Sequence, residues 1–310
     1  MNRLAQFLVV GIATLTLGIA AFGVARGKPT ETVVTELAPG VFFRKLQTEP
    51  TFLGCNQGWV HFKDFVLVID ANFPSQAEEI VALVRKQTDK KIRYVFDTHY
   101  HGDHADGNPI YARIGAAVVA SENSRNQFDT KGIAGFEESR KSKPAEYGPL
   151  TYEKPSVYFP QKLVIDDGEQ RVELLHFGHG HTPGDAVAWL PKHGILFTGD
   201  ACINGAFNYT GDGNTSSWIA VLTELEKLPV KTVAPGHGEL AGPELLALQR
   251  RYFVELRQAV QKLIDDGKSL DEIKQTIDLP FYKDWTGVDV KTRTENIEHV
   301  YGELTGKRAG

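Results

Sequence analysis

The sequence predicts an α/β protein, and two observations carry that prediction. Short apolar runs rich in Val and Ile alternate with segments of helical periodicity along most of the chain. Several of these runs lead directly into loops of Gly, His and Asp, and open α/β sheets place their sites at such strand ends. At 310 residues the chain has room for two domains, or for one large domain with additions.

The predicted elements of the first half form a strand–helix–strand unit. Residues 41–45 and 59–62 are short β-like runs, and residues 65–69 form a buried strand by their β-branched content. Residues 74–86 carry apolar side chains at helical spacing, and residues 92–96 form the next strand. A unit of this kind normally has parallel strands and a right-handed crossover.

The remaining elements follow the same alternation. A short helix is expected near residues 108–114, and residues 121–160 are polar and predict an insertion with one or two helices that can act as a lid. A helix is expected from Thr215 to about Lys227, and residues beyond Gly242 are helical with a break over 280–287. Further strands are predicted over residues 116–120, 163–165, 172–177, 186–190, 195–198 and 232–234.

Composition narrows the classes of function. Hydrophobic residues make up 42% of the chain and charged residues 24%, which is ordinary globular usage and excludes a disordered chain. The net charge of −5 argues against a general nucleic-acid binder. Two cysteines are too few for a disulfide scaffold or a four-cysteine zinc site.

Residues 1–28 predict an export signal. Arg3 precedes a nearly continuous apolar stretch from Leu4 to Ala25, and small residues stand at positions suited to cleavage after Ala25. The alternative is an uncleaved membrane anchor, since this stretch is long enough to span a bilayer. Either way we expect the working part in the periplasm or outside the cell. There, Cys55 and Cys202 can form a disulfide or remain two buried thiols.

The strand over residues 92–96 runs into the sequence D-T-H-Y-H-G-D-H at residues 97–104. In an extended loop His99 and His101 point to the same side, because alternate residues share a face. Asp103 and His104 lie on the following turn and can point elsewhere. This arrangement suits two adjacent metal ions better than one, whereas a polar loop that is merely rich in histidine is the plain alternative.

Three more strand ends supply the same chemistry. The strand over 172–177 is followed by G-H-G-H-T-P-G-D at residues 178–185, the strand over 195–198 by Asp200, and the strand over 232–234 by P-G-H-G with His237. Because strand ends of an α/β sheet meet at one edge, we expect these side chains to lie close together.

In their order and spacing, H-x-H-x-D-H, G-H-T-P-G-D, T-G-D and P-G-H-G resemble the metallo-β-lactamase superfamily of metallohydrolases. The resemblance covers about residues 35–242. It implies an αβ/βα four-layer sandwich of two mixed β-sheets over residues 29–242, and we expect a C-terminal helical extension over residues 243–310. It also implies seven ligands: the first metal on His99, His101 and His181, the second on Asp103, His104 and His237, and Asp200 bridging both.

Some neighbours of these residues admit two interpretations. His179 lies two residues before His181, but His181 fits the family motif better and is the preferred ligand. Asp70, which ends a strand, is expected to orient a ligand or to cap a turn, and Asp97 and Asp185 can likewise orient ligand imidazoles or be plain turn residues.

The implied site predicts a hydrolase with two zinc ions per chain, with iron or manganese possible. Two close metals can share a hydroxide that is nucleophilic at pH 7, and Asp103 can orient it toward the carbonyl of a lactam, lactone or (thio)ester. The alternatives are a mononuclear iron oxygenase of the same fold, similar to the sulfur dioxygenases, and a non-catalytic metal-binding relative.

The substrate stays open at this point, beyond a small molecule. The zinc β-lactamases that have a cysteine ligand place it where Asp200 stands, whereas a bridging aspartate resembles thioesterases and lactonases of the family. Residues 205–213 (GAFNYTGDG) form a glycine-rich loop in which Asn208 and Tyr209 can meet the substrate or simply lead into a helix. No nucleic-acid partner is expected, and a membrane contact only through an uncleaved N-terminal segment.

Overall fold

The structure, a computed structural model, describes residues 33–46, 54–285 and 290–307. The chain divides into two units, Met1–Thr30 and Glu31–Gly310, and every described residue belongs to the second. The predicted export signal over residues 1–28 therefore lies outside the described residues. Among the described residues, none of the helices combines the length and the apolar character needed to cross a bilayer.

The first sheet has seven strands that neighbour each other in chain order. The pairs from β1 to β4 are antiparallel and those from β4 to β7 are parallel, so the sheet is mixed. Its strands are β1 (Val33–Ala38), β2 (Val41–Lys45), β3 (Gln57–His61), β4 (Phe65–Ile69), β5 (Lys91–Phe96), β6 (Ala117–Ser121) and β7 (Val157–Phe159).

The second sheet has five strands in the order β12-β11-β10-β9-β8. Only the β11–β12 pair is parallel, so this sheet is mixed too. Its strands are β8 (Lys162–Asp166), β9 (Arg171–Leu175), β10 (Val187–Leu190), β11 (Ile195–Gly199) and β12 (Thr232–Pro235).

Helices cover the outer faces and fill the connections. The α-helices are α1 (Pro74–Gln87), α2 (Gly102–Ala105), α3 (Asn108–Arg113), α4 (Arg125–Gln127), α5 (Ile133–Ser142), α6 (Pro144–Tyr147), α7 (Thr215–Leu225), α8 (Glu244–Asp265), α9 (Leu270–Thr276) and α10 (Val290–Thr305). Short 3₁₀ turns at Glu122–Ser124 and Pro280–Tyr282 and a π-helical turn at Phe128–Gly132 complete the set.

The two sheets pack face to face, as the predicted sandwich requires. Leu67 and Phe96 of the first sheet share one buried cluster with Leu174 and Phe197 of the second. Gly58 lies where a Cβ atom would overlap the ring of Phe197, so the sheets approach closely at this point. One continuous apolar core therefore lies between the sheets, and the polar residues of the predicted site lie at the strand ends.

The outer layers complete four layers. Helix α1 buries Ile80 and Val84 against the outer face of the first sheet. Helices α7 and α8 cover the second sheet, with Trp218 of α7 and Trp189 of β10 in one buried cluster. The predicted αβ/βα four-layer sandwich of two mixed sheets with C-terminal helices is confirmed.

Two strands were not predicted from the sequence. Strand β1 precedes the first predicted run, and β7 lies within the 121–160 insertion, where only helices were expected. Both are edge strands of the first sheet, and each pairs with a single neighbouring strand in that sheet. The predicted strand–helix–strand unit over residues 65–96 is confirmed, because β4 pairs parallel to β5 on either side of α1.

Helix α10 supports the loop over residues 205–213. The Asn296 side chain donates to the carbonyl of Asn208 (2.8 Å) and accepts from the hydroxyl of Thr210 (2.9 Å), and all three residues are buried. The carboxylate of Glu303 accepts from the backbone N–H of Thr215 at the start of α7 (2.8 Å). The C-terminal helices thus fix the backbone of a loop that borders the predicted site.

Candidate metal centre

The four predicted loops meet at one edge of the sandwich, where β5, β9, β11 and β12 end. Buried Asn56 donates to the carbonyls of Pro235 and Gly238 (2.9 Å each) and so holds the loop of His237. Gly236 lies against Asp200, and a Cβ atom there would overlap the carboxylate. Glycine at this position therefore lets two loops from neighbouring strands come together.

The first histidine group consists of His99, His101 and His181. Nδ1 of His101 lies 3.0 Å from Nε2 of His99 and 2.9 Å from Nε2 of His181. Three ring nitrogens thus point at one another across a gap that a single ion can fill. His99 and His181 are buried, and His101 is partly exposed toward a cavity.

The second group consists of Asp103, His104 and His237. Oδ2 of Asp103 lies 3.2 Å from Nε2 of His237 and 3.6 Å from Nε2 of His104. His104 is fully buried, whereas Asp103 is 24% exposed and borders the same cavity as His101. The turn that begins α2 thus places these two side chains in a second group, and His104 also adjoins the first group, because its ring centroid lies 4.1 Å from that of His99.

Asp200 lies between the two groups. Its Oδ1 is 3.4 Å from Nε2 of His104, and its Oδ2 is 3.4 Å from Nε2 of His237 and 3.7 Å from Nε2 of His181. This one carboxylate therefore reaches imidazoles of both groups. The structure thus brings the seven predicted residues together, with Asp200 between the two groups.

Two of the buried imidazoles have an acceptor on the nitrogen that faces away from the site. Nδ1 of His104 lies 3.0 Å from Oδ2 of Asp70, and Nδ1 of His181 lies 2.9 Å from the carbonyl of Tyr209. These acceptors favour the N–H at Nδ1 and leave the lone pair of Nε2 directed into the site. Asp70 therefore has the orienting role that the sequence suggested for it.

Asp97 and Asp185 do not orient imidazoles. The Asp185 carboxylate accepts from the backbone N–H groups of His181 (2.5 Å) and Thr182 (2.9 Å), and so shapes the turn instead of the ring. Asp97 accepts from the side chain of Asn108 (2.7 Å). Asp97 and Asp185 lie within a few positions of His99 and His181 in the sequence. The sequence could not show that their carboxylates contact other groups, because those contacts depend on the directions of the side chains.

Electrostatics separates the two groups. Burial and neighbouring imidazoles lower the pKa of His99 well below its usual value and that of His181 to about 3, so both rings are neutral. For Asp103, burial raises the pKa, but His104 and His237 outweigh it and lower the pKa to about 2. His237 and His104 likewise hold the pKa of Asp200 well below its usual range despite burial.

The residues present fit two cations. Nε2 of His104 and Oδ1 of Asp200 are buried and make no hydrogen bond with any described residue. The neutral imidazoles of His99 and His181 and the ionised carboxylates of Asp103 and Asp200 are donors that zinc, iron and manganese bind. Buried carboxylates without a cation are costly, so an orphaned oxygen and nitrogen facing each other favour an ion between them.

The two cysteines do not pair with each other. Both are buried free thiols, so of the two options left open by the sequence the structure shows the unpaired one. The Cys202 thiol faces the carbonyl of Leu245 (3.7 Å), away from the ligands. Cys55 lies with Asp70 and His104 in a third group that could hold a metal ion, which the sequence did not suggest, and burial raises the pKa of its thiol.

A cavity of about 560 Å³ opens above both groups. Its floor includes His101, Asp103 and Asp200, and its roof comes from the 121–160 insertion. The insertion therefore lies where a lid was expected. Its other lining residues are mainly apolar or aromatic and include Phe73, Tyr100, Phe136, Ile203 and Tyr209.

Asn208 and Tyr209 of the 205–213 loop both line the cavity. The side chain of Asn208 is buried and donates to the carbonyl of Asp200 (2.8 Å), so it supports the bridging residue from behind. Tyr209 is 42% exposed and lines the cavity, as a substrate contact would. The same loop carries Asp212, whose carboxylate lies 3.0 Å from Nε2 of His101, and the sequence analysis missed it.

His179 stays outside the first group. Its Nε2 lies 2.7 Å from the carbonyl of Asp212, at a separate and smaller pocket. His181 is therefore the member of the pair that meets His99 and His101, as the sequence preferred.

Comparison with known proteins agrees with this geometry. The family profile of the metallo-beta-lactamase superfamily matches residues 50–237. The chain belongs to this superfamily. The metallo-β-lactamase type 2 of Bacteroides fragilis is 25% identical over 177 residues, which cover 56% of this chain and 64% of the relative.

One further relative in sequence and one solved structure are also similar to this chain. A hydroxyacylglutathione hydrolase of Microcystis aeruginosa is 25% identical over 239 residues, covering 69% of this chain and 80% of the relative. The solved structure of a metallo-β-lactamase from Pontibacter korlensis shares the fold, with a TM-score of 0.61 at 22% identity over 72% of this chain and 99% of that one. The chain spans about two thirds of the length of the type 2 enzymes that it matches.

Proposed function

We propose that this superfamily member is an exported hydrolase with two metal ions, zinc by preference. Its reaction is the hydrolysis of a lactam, lactone or (thio)ester by attack at the carbonyl carbon. The observation that carries the proposal is the position of Asp200, within 3.4–3.7 Å of imidazoles from both groups. His99, His101 and His181 would hold one ion, and Asp103, His104 and His237 the other. When bound, such ions supply Lewis acidity and lower the pKa of water toward neutrality.

The chain's own residues supply orientation. Asp103 is ionised and borders the cavity, so its carboxylate can accept a hydrogen bond from a water molecule there and fix its direction. Its low pKa makes it a weak base, and we assign it the orienting role. Burial raises the pKa of Tyr209, so its hydroxyl stays protonated and can donate to a substrate oxygen.

The cavity favours a substrate with both apolar and anionic parts. Its apolar lining is mostly aromatic, and Lys143 of the insertion lies at its border with its amino group 5.0 Å from the ring centroid of Phe73. A cation at the rim can pair with a carboxylate of the substrate. We expect Lys143→Met to raise KM at least about threefold for a lactam that carries a carboxylate and to leave KM for a neutral ester unchanged.

A hydrolysis panel tests the reaction. Zinc-loaded protein is assayed with lactams, lactones, thioesters and phosphodiesters, and metal content is measured on the same sample. We expect about two zinc ions per chain and turnover of at least one carbonyl substrate. One iron per chain with oxygen uptake would indicate the mononuclear oxygenase instead, and intact metal without turnover would indicate a binding protein.

Export is a separate part of the proposal and has its own test. It rests on Arg3 and the apolar stretch from Leu4 to Ala25. Mass spectrometry of protein purified from its native cell envelope should show a chain that begins near Arg26. Full-length protein recovered from the cytosol would contradict export without affecting the reaction.

A further inference from the structure

Asp212 connects three parts of the molecule at one carboxylate. Its Oδ2 accepts from the hydroxyl of Tyr100 (2.5 Å) and lies 3.0 Å from Nε2 of His101. Its Oδ1 accepts from the amino group of Lys131 in the insertion. The Asp212 side chain is only 14% exposed, so this arrangement is largely shielded from solvent.

His101 is the one member of the first group that turns Nδ1, and not Nε2, toward the other two imidazoles. For that nitrogen to bind a cation, the N–H of the neutral ring must lie on Nε2. A carboxylate at 3.0 Å from Nε2 favours this tautomer and fixes the plane of the ring.

We infer that Asp212 is a positioning residue that holds His101 in its ligating orientation and joins the 121–160 insertion to the metal centre through Lys131. This inference rests on the proposed metal centre, and it assigns a role within it to a residue on the 205–213 loop. The loop can bear this role because its backbone is fixed from below by Asn296 of α10.

The contacts of Asp212 with Lys131 and with Tyr100 differ in strength. Lys131 is 61% exposed, and exposed ion pairs contribute little. Tyr100 is buried and packs in one cluster with Phe128 of the insertion, so its hydroxyl depends on Asp212 as an acceptor. We therefore expect the carboxylate to matter chiefly for His101 and Tyr100, and the lysine to matter mainly for the position of the insertion.

The test compares Asp212→Ala, Asp212→Asn and Lys131→Met with a matched control, Asp129→Asn. Asp129 is an acidic residue of the same insertion whose exposed ion pair with Lys154 stands apart from the cavity lining. Nitrogen-15 NMR of the metal-free proteins at pH 8 reports the tautomer of His101. The imidazole signals of His101 are identified by their absence from the spectrum of His101→Gln. Competition with a chromophoric chelator reports zinc affinity, and circular dichroism reports folding.

In the parent protein we expect His101 to carry its proton on Nε2. Asp212→Ala should give a mixture of tautomers and weaken zinc binding at the tighter site about 10- to 100-fold. Asp212→Asn keeps an acceptor oxygen and should lose less, while Lys131→Met and the control should stay within about threefold. Hydrogen exchange of residues 128–136 should increase in Lys131→Met, in Asp212→Ala and, to a smaller extent, in Asp212→Asn.

A folded Asp212→Ala protein with the parental tautomer and zinc affinity within twofold would overturn the inference. If Asp212→Ala does not fold, Asp212→Asn provides the test. Parental zinc affinity together with parental hydrogen exchange of residues 128–136 in Asp212→Asn would contradict the roles of the contacts with His101 and Lys131. A parent protein that binds no zinc would refute the proposed function, and the tautomer comparison would still decide the role of Asp212.

Discussion

Asp70→Asn replaces one oxygen of the carboxylate that faces His104 with an amide nitrogen. In the parent protein Oδ1 accepts from the N–H and the hydroxyl of Thr98 (2.9 Å each), and Oδ2 lies 3.0 Å from Nδ1 of His104. The asparagine can keep its oxygen on Thr98, so its NH₂ group then faces Nδ1. Two donors cannot share that contact, and the imidazole has to move its proton to Nε2.

The magnitude follows from that proton. A neutral His104 protonated at Nε2 has no lone pair for the second site, so we expect zinc affinity there to fall about 10- to 100-fold, or roughly 1.4–2.7 kcal/mol. Affinity at the first site should change little, because none of its three histidines contacts Asp70 directly. The free energy of unfolding of metal-free protein should fall by about 1.5–3 kcal/mol, the usual contribution of a hydrogen bond to a charged group.

The assay is a two-step zinc titration against a chromophoric chelator, with urea unfolding of chelator-treated protein alongside. Asp64→Asn is the matched control, since Asp64 is exposed in the turn between β3 and β4. Two zinc steps of parental affinity in Asp70→Asn would refute the assignment of His104 as a ligand oriented by Asp70. A loss at both steps equally would mean that the substitution disturbs the whole edge of the sandwich.

Three further predictions concern single residues. Asp200→Ala should lower metal content toward one ion per chain and reduce hydrolysis at least about a hundredfold, measured by metal analysis and initial rates; unchanged values would remove its bridging role. His181→Ala should lose first-site metal and nearly all activity, whereas His179→Ala should keep both metals and most of the rate, and the reverse pattern would exchange their roles. Burial raises the pKa of Glu303, but hydrogen bonds from His299 and Thr215 outweigh burial and lower the pKa to about 2. The stabilisation by the ionised carboxylate is therefore present above about pH 4.5 and is lost as the pH falls toward 2. The difference in the free energy of unfolding between the parent and Glu303→Gln should shrink over that range, and a constant difference would contradict this prediction.

The ligands were predictable because they follow strands in short motifs. The strand-end positions of the motifs predicted that these side chains gather at one edge, whereas their division between two metals came from the resemblance to the metallo-β-lactamase superfamily. Physical proximity therefore followed from local sequence. Asp212 had no such signal, because its contact with His101 spans 111 positions of the chain.

The elements that escaped prediction are also explained physically. β7 has three residues inside a polar insertion and is fixed only by its parallel pairing with β6. β1 is partly exposed along most of its length, so its apolar pattern is weak. Both strands depend on a neighbour that the local sequence does not show. The state of Cys55 and Cys202 likewise depends on tertiary burial.

Anomalous X-ray diffraction at the zinc edge tests the central claim most directly. Crystals of zinc-loaded protein should show two peaks about 3.5–4 Å apart. One peak should lie about 2.0–2.1 Å from Nε2 of His99, Nδ1 of His101 and Nε2 of His181, and the other beside Asp103, His104 and His237, with Asp200 between them. A single peak, or two peaks away from these side chains, would contradict a dinuclear centre at this edge of the sandwich.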